Sequence, residues 1–199
     1  KTVIFDFGGV LIDWNPKYLF KKIFNDEVQM DHFLENVCTS DWNEEQDAGR
    51  SLAEATSYLV ERHPEHREYI KAYYGRWEEM LGGVFQGTVD ILKEVKDSKR
   101  FMLLGLTNWS AETFPIAQKK YEFLNWFDGV VVSGEEKSRK PFAEFYHILL
   151  LRYNVKPEEA VFIDDNVRNL KGAEELGIKT IHFVSSEKLR QDLAKMGVL

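Results

Sequence analysis

Three polar clusters stand where short apolar runs end, and a fourth polar residue stands before a proline. Asp6 follows Val3-Ile4-Phe5 and precedes Gly8-Gly9, Thr107-Asn108 follows Phe101–Leu106, and Asp164-Asp165-Asn166 follows Val161–Ile163, while Lys140 stands directly before Pro141. A carboxylate can attack phosphorus and form an acyl phosphate, which divides one hard displacement into two easier ones; Asp6 is the candidate nucleophile. An anion approaching a phosphate needs a hard cation nearby, and Mg²⁺ takes a few carboxylates with carbonyls and waters. Asp164 and Asp165 supply those acids. Thr107 and Asn108 carry donors for phosphoryl oxygens, and the amides opening the next helix add more, with Ser110 as its candidate cap. Lys140 brings positive charge for the transition state and offsets repulsion among the acids. Lys137 and Arg139 are its neighbours, but only Lys140 abuts the proline, which suits the first turn of a following helix.

These residues need a scaffold that gathers them. The runs Val3–Phe7, Phe101–Leu106, Val130–Val132 and Val161–Ile163, with Thr180–Phe183 as a fifth, read as buried parallel strands. Helical patterns at Glu112–Tyr121, Phe142–Arg152 and Val167–Leu176 lie between them, the last with Val167, Leu170, Ala173 and Leu176 on one face and Gly177 as its stop. Alternation of this kind implies an α/β fold, a doubly wound parallel sheet, whose ligands sit beyond the carboxyl ends of the strands.

The first interval breaks the alternation. From Lys17 to about Tyr74 the patterns are helical, with a capping box at Ser51–Glu54 and a stripe of Leu52, Ala55 and Leu59. This predicts an all-helical cap domain over residues 16–85, inserted into a core domain of residues 1–15 and 86–199. Gly82-Gly83 and Gly87 read as flexible return points, and Asp13 as the cap of a helix starting near Pro16. Residues 40–50, SDWNEEQDAGR, collect Trp42, Asn43, Gln46, Asp47 and Arg50. A cap closing over a core site supplies substrate-reading groups of this kind, and Arg50 is the candidate contact; a solvated charged helix with Trp42 packed inward fits the same residues. Trp14 and Trp109 flank the motifs, as pocket walls or as core.

Composition narrows the partners. The chain has 199 residues and a net charge of −7, so it offers no general attraction to nucleic acid or an anionic membrane. A lone cysteine, Cys38, excludes an internal disulfide and suits a cytoplasmic location. No apolar run approaches a membrane span. A monomer or weak dimer acting on a small phosphorylated substrate is expected.

The stretches DFGGV, TN, RKP and IDDN, in that order and spread over most of the chain, resemble the motifs of the haloacid dehalogenase superfamily of aspartate-nucleophile phosphatases. FIDDNVRNLKGAEELGI is similar to the subgroup containing the glucose-1-phosphate phosphatase and the phosphatase domain of soluble epoxide hydrolase. The resemblance implies a Rossmann-like core, a helical cap after the first strand, and Mg²⁺ held by Asp6, the backbone carbonyl of Gly8, Asp164 and Asp165. It also implies a second aspartate two positions after the nucleophile, which protonates the leaving oxygen and then activates water. Here that position is Gly8, which keeps the carbonyl and lacks the acid. A positioned acid or base is typically worth roughly 10² to 10⁴ in rate, so the expectation is slow turnover of a small phosphorylated metabolite, such as a sugar phosphate, with the aspartyl phosphate accumulating. Two other readings stay open: a metal-free 2-haloacid dehalogenase, which the paired acids argue against, and a phosphometabolite-binding protein with weakened catalysis.

Overall fold

The computed structural model describes residues 1–199. The chain opens with β1 (Thr2–Phe5) and β2 (Ile12–Trp14), then runs through α1 (Pro16–Phe20), α2 (Glu27–Asn36), α3 (Ser40–Asp47), α4 (Leu52–Arg62) and α5 (Arg67–Gly75) before β3 (Leu81–Val84). It continues with α6 (Gln86–Ser98), β4 (Met102–Thr107), α7 (Phe114–Lys120), β5 (Gly129–Val132), α8 (Ser133–Glu136), α9 (Ala143–Arg152), β6 (Ala160–Asp164), α10 (Val167–Glu174), β7 (Lys179–His182) and α11 (Ser186–Lys195). Five strands form a parallel sheet in the order β5-β4-β1-β6-β7. No helix is long and apolar enough to cross a membrane.

All four residues of β1 are buried, as a central strand covered on both faces requires. Phe5 is level with Gly105 of β4 and Ile163 of β6. The chain leaves β1 toward β4 and β5 on one side and later toward β6 and β7 on the other, so the strand order reverses at β1. A crevice opens at such a point beyond the carboxyl ends, and Asp6 stands in it.

Alternate residues of the strands feed two apolar layers. Ile4, Leu104 and Phe162 meet Phe145, Tyr146 and Leu149 of α9 and Leu170 and Ala173 of α10. Val3, Phe5 and Ile163 meet Val89 and Leu92 of α6 and Leu189 and Leu193 of α11. That second layer continues into the helices between β2 and β3 through Leu19, Phe20, Phe33, Trp42 and Tyr73, so one apolar cluster underlies both parts of the molecule.

The five strands expected from sequence are all present. The capping box is too, with Ser51 and Glu54 bonding each other's backbone N–H. Three local features differ. Gly82 and Gly83 lie in β3, which pairs antiparallel with β2 rather than forming loose return points; a ribbon this short, with half of β3 glycine, has no apolar alternation to announce it. Asn15, not Asp13, caps α1, since its side chain accepts from the N–H of Lys17, while Asp13 accepts from the Tyr18 hydroxyl at 2.6 Å. The helix after β4, α7, starts at Phe114, and Ser110 serves instead within the preceding turn, accepting from the N–H of Glu112.

Gly105 shows how tightly the central strands are packed. A Cβ there would collide with the Phe7 ring, which is itself wedged against Phe114 and Phe127 with centroids 6.1 and 5.0 Å away. Gly105→Ala is expected to destabilise the protein by about 1–3 kcal/mol through overpacking, read as a lower urea midpoint at unchanged slope; an unchanged midpoint would show that the ring can yield.

Candidate active site

The site is organised around a fully buried ammonium. Lys140 Nζ lies 2.8 Å from Asp6 Oδ1 and donates to Asp164 Oδ2 at 2.7 Å and to the Leu106 carbonyl at 3.1 Å. A lysine has three N–H donors, and these partners use all of them. Burial works against its charge, but Asp164 and Asp6 outweigh burial and hold its pKa above the ordinary lysine value. Asn108 fixes the lysine's backbone: its Nδ2 donates to the Lys140 carbonyl at 3.0 Å and its Oδ1 accepts from the Lys140 N–H at 2.8 Å. The amide expected from sequence to meet a phosphate is therefore engaged by the lysine's main chain. Pro141 follows through a cis peptide, and α9 begins only at Ala143, so the proline lies ahead of the helix rather than in its first turn.

The acids are positioned with equal economy. Asp6 Oδ1 accepts from the Phe7 N–H at 2.8 Å as well as facing Lys140. Asp164 is fully buried; its Oδ1 accepts from the Asn166 N–H at 2.7 Å, and Asn169 donates to both of its oxygens. Asn169 carries no motif, and only its place one turn into α10 gives it this role. Asp165 lies over Gly9, whose φ of +77° and lack of a Cβ make room for the carboxylate; a side chain there would collide with it. One oxygen from each of Asp6, Asp164 and Asp165 falls within a sphere where all are under 4.8 Å apart. Three carboxylates against one ammonium leave an all-oxygen, electron-rich cluster, which fits a hard divalent cation such as Mg²⁺. Without a cation the cluster resists full ionisation: burial and then the Asp164 charge push the Asp6 carboxyl up to about 8, and the same two causes raise Asp165. Beside the cluster, the Thr107 hydroxyl is buried and has no hydrogen-bond partner, an orphan donor at the end of β4.

Next to the acids lies a cleft of about 90 Å³. The core lines it with Gly8, Trp14, Asn108, Trp109, Ser110 and Thr113, and the cap helices and the turn after them with Asn43, Asp47, Tyr74 and Trp77. Trp14 and Trp109 are thus walls of the cleft, and Tyr74 and Trp77, unmarked in the sequence, join them. Arg50 is not in the lining. Its Nε donates to Gln46 Oε1 at 2.8 Å and its Nη2 to the Trp42 carbonyl at 3.2 Å; Gln46 donates to the Tyr74 hydroxyl at 2.6 Å, which donates to Asn43 at 2.8 Å. Arg50 is the outer end of a chain whose inner end, Asn43, reaches the cleft. Cap and core also meet through Glu44, paired with Arg139 at 3.0 Å and Arg168 at 2.9 Å, and through Glu112, which accepts from the Leu52 N–H at 2.8 Å.

A parallel sheet with a carboxylate cluster at its switch point, covered by helices inserted after the first strand, defines a class of doubly wound α/β proteins that bind ligands beyond the strand ends. The chain belongs to the haloacid dehalogenase-like hydrolases, matching that family over residues 3–183. It is 25% identical over 186 residues to the sesquiterpene phosphatase astK of Aspergillus oryzae, covering 94% of this chain and 91% of the relative. It is 27% identical over 191 residues to a phosphorylated carbohydrates phosphatase of Thermotoga maritima, covering 92% and 85%. Its fold is similar to that of a magnesium complex of a family enzyme from Bacteroides thetaiotaomicron, with a TM-score of 0.71 at 24% identity over 93% of each chain.

The raised carboxyl pKa values give a signed expectation. Asp6 has an ordinary value of 3.8 and a folded value of about 8, so between these the folded state holds a proton that the unfolded state has released. That contribution is fully present below about pH 4 and is lost as pH rises through about 8. In a chelator the melting temperature should fall from pH 5 to pH 8.5, and Mg²⁺ should raise it more at pH 8.5 than at pH 5. A magnesium shift equal at both pH values would contradict the cluster as its site. Asn108→Ala should cost about 1–3 kcal/mol by leaving the lysine's backbone groups unpaired, measured by urea unfolding.

Proposed function

We propose that the chain is a Mg²⁺-dependent phosphomonoesterase acting on a small phosphorylated metabolite, with Asp6 as nucleophile. The observation that carries this reading is the convergence of Asp6, Asp164 and Asp165 within 4.8 Å around one buried lysine. Asp6, Asp165 and the Gly8 carbonyl would hold the cation, with Asp164 supporting them; when bound, it neutralises phosphoryl charge and allows an anionic carboxylate to approach.

The residues then divide the chemistry among them. Asp6 Oδ1 is held by Lys140 and the Phe7 amide, which leaves Oδ2 without a protein donor and available for attack or for the cation. Lys140 keeps Asp6 ionised once the cluster is balanced and adds positive charge where the transferring group carries negative charge. The Thr107 hydroxyl donates to a phosphoryl oxygen, which would satisfy a buried group that otherwise has no partner. Asn108 acts on the substrate through the lysine it positions. Arg50 acts through Gln46, Tyr74 and Asn43 rather than by touching substrate. The small cleft with aromatic walls and the polar Asn43 and Asp47 suits a compact, hydroxylated leaving group, for which sugar phosphates are the first choice.

A phosphate-release screen over sugar, nucleotide and acyl phosphates tests this, run with Mg²⁺, with chelator and with Asp6→Asn. The expected result is release from at least one small substrate, lost on chelation and with Asp6→Asn. Chloride release from 2-chloropropionate that a chelator leaves unchanged would overturn it in favour of a dehalogenase. Stabilisation by phosphorylated ligands without any release would favour a binding protein.

A further inference from the structure

Hydrolysis through an acyl phosphate needs a group that moves protons. An alkoxide leaving group must receive one, and the water that later attacks phosphorus must lose one. Asp6 cannot serve, because it is bonded to the phosphoryl group in between, and Lys140 has all three donors committed inside the cluster. Gly8 has no side chain, and a Cβ built there would meet nothing within 4 Å, so the cleft is open at that position.

The other groups lining the cleft are tryptophans, two asparagines, a serine, a threonine, Tyr74 and Asp47. Burial holds the Tyr74 hydroxyl far above the range in which a phenol gives up its proton, and that hydroxyl already donates to Asn43. Asp47 is the single carboxyl in the lining, placed at the last turn of α3. It makes no salt bridge, since Arg139, the nearby guanidinium, is paired with Glu44 at 3.0 Å.

We infer that Asp47, which lines from the cap the same cleft that Gly8 lines from the core, is the general acid and base of this site. The inference rests on the phosphatase reading above. In the first half of the reaction Asp6 forms a bond to phosphorus, the ester P–O bond breaks, and the Asp47 carboxyl gives its proton to the departing oxygen. In the second half Asp47, now a carboxylate, takes a proton from water as the water oxygen bonds to phosphorus; the bond to Asp6 breaks, phosphate leaves, and Asp47 is again protonated. No outside reagent is required. Its titration suits a group that both gives and takes a proton near neutral pH. Burial and then the Glu44 charge push the carboxyl up to about 7, against the opposing pull of Arg139 and Lys140, and Tyr73 and Tyr74 of α5 are the other titratable groups near it. Slow turnover is then not the consequence of Gly8, because the proton carrier has moved from the core loop to the cap.

The test compares wild type, Asp47→Asn and Asp47→Asn with Gly8→Asp on 4-nitrophenyl phosphate and on an alkyl phosphate, with Mg²⁺. Asp47→Asn should lower turnover of the alkyl ester by roughly 10² to 10⁴. With the aryl ester, whose leaving group needs no proton, it should give a burst of nitrophenolate equal to the enzyme present, then slow release, with phosphoryl protein trapped by acid quench. Gly8→Asp should restore turnover by tenfold or more, because its side chain enters the open space at that position. Wild-type kcat should fall with an apparent pKa near 7 on the side assigned to the acid, and the variant should lose that limb. Unchanged kcat with only a raised KM for hydroxylated substrates would make Asp47 a substrate contact and overturn the inference, as would a loss that Gly8→Asp does not recover. Wild type that releases no phosphate from any ester would instead remove the phosphatase reading, and this inference with it.

Discussion

One buried ammonium ties the centre of this molecule together. Lys140 touches the residue that follows β1, the Leu106 carbonyl of β4 and the last residue of β6, so the carboxyl ends of three adjacent strands are joined at one atom. An unpaired charge at such depth is prohibitive, and a paired one is tolerated only when its remaining donors and acceptors are matched. The surrounding bonds provide that matching: Asn108 clamps the lysine's backbone, and Asn166 and Asn169 occupy Asp164. Left unmatched are one Asp6 oxygen, the Asp165 carboxylate, the Thr107 hydroxyl and the Asn169 side-chain oxygen, and the first three are the ones a phosphate and its cation would engage. The reactive part of the site is the remainder of a structural network.

The sheet and its chemical groups were legible because both depend on short-range patterns. A run of buried apolar residues ending in an acid states where a central parallel strand stops, and Asp6 and Asp164 followed from that; Thr107 gained its role only from the company of the other motifs. Side-chain direction was not legible. Nothing near Asn108 in the sequence says that its amide will turn to residue 140, and nothing near Arg50 says that it will support Gln46 instead of facing substrate; both depend on which distant segment packs alongside. The same holds for Tyr74 and Trp77, which look like ordinary buried aromatics until the cap folds over. The β2–β3 ribbon escaped notice because its pairing is decided by the two crossings between core and cap rather than by propensity.

The cap has two kinds of attachment. An apolar cluster continuous with the core holds it at its base, through residues such as Phe20 and Tyr73. At the rim the attachments are polar: Glu44 faces two arginines of the core, and Glu112 receives the first N–H of α4. Polar rim contacts exchange readily with water and weaken with salt, whereas the apolar base does not. Such a division makes the rim the salt-sensitive part of the attachment and leaves the ribbon and base to keep the register of the cap on the core.

The central position of β1 also governs when the site can come into being. Its neighbours in the sheet, β4 and β6, lie about a hundred and about a hundred and sixty residues further along the chain. A ribosome adding roughly 5–20 residues each second therefore exposes the first acid many seconds before its lysine and its partner acids exist. During synthesis this strand lacks both parallel partners, and its Val3, Ile4 and Phe5 lie along an open edge of the kind that invites association with other chains. The helices that emerge next, with Phe20, Phe33 and Tyr73, belong to the same apolar cluster as Val3 and Phe5 and offer early apolar cover to one face of that strand. The insertion that completes the cleft in the finished enzyme thus also lies where a growing chain needs early cover.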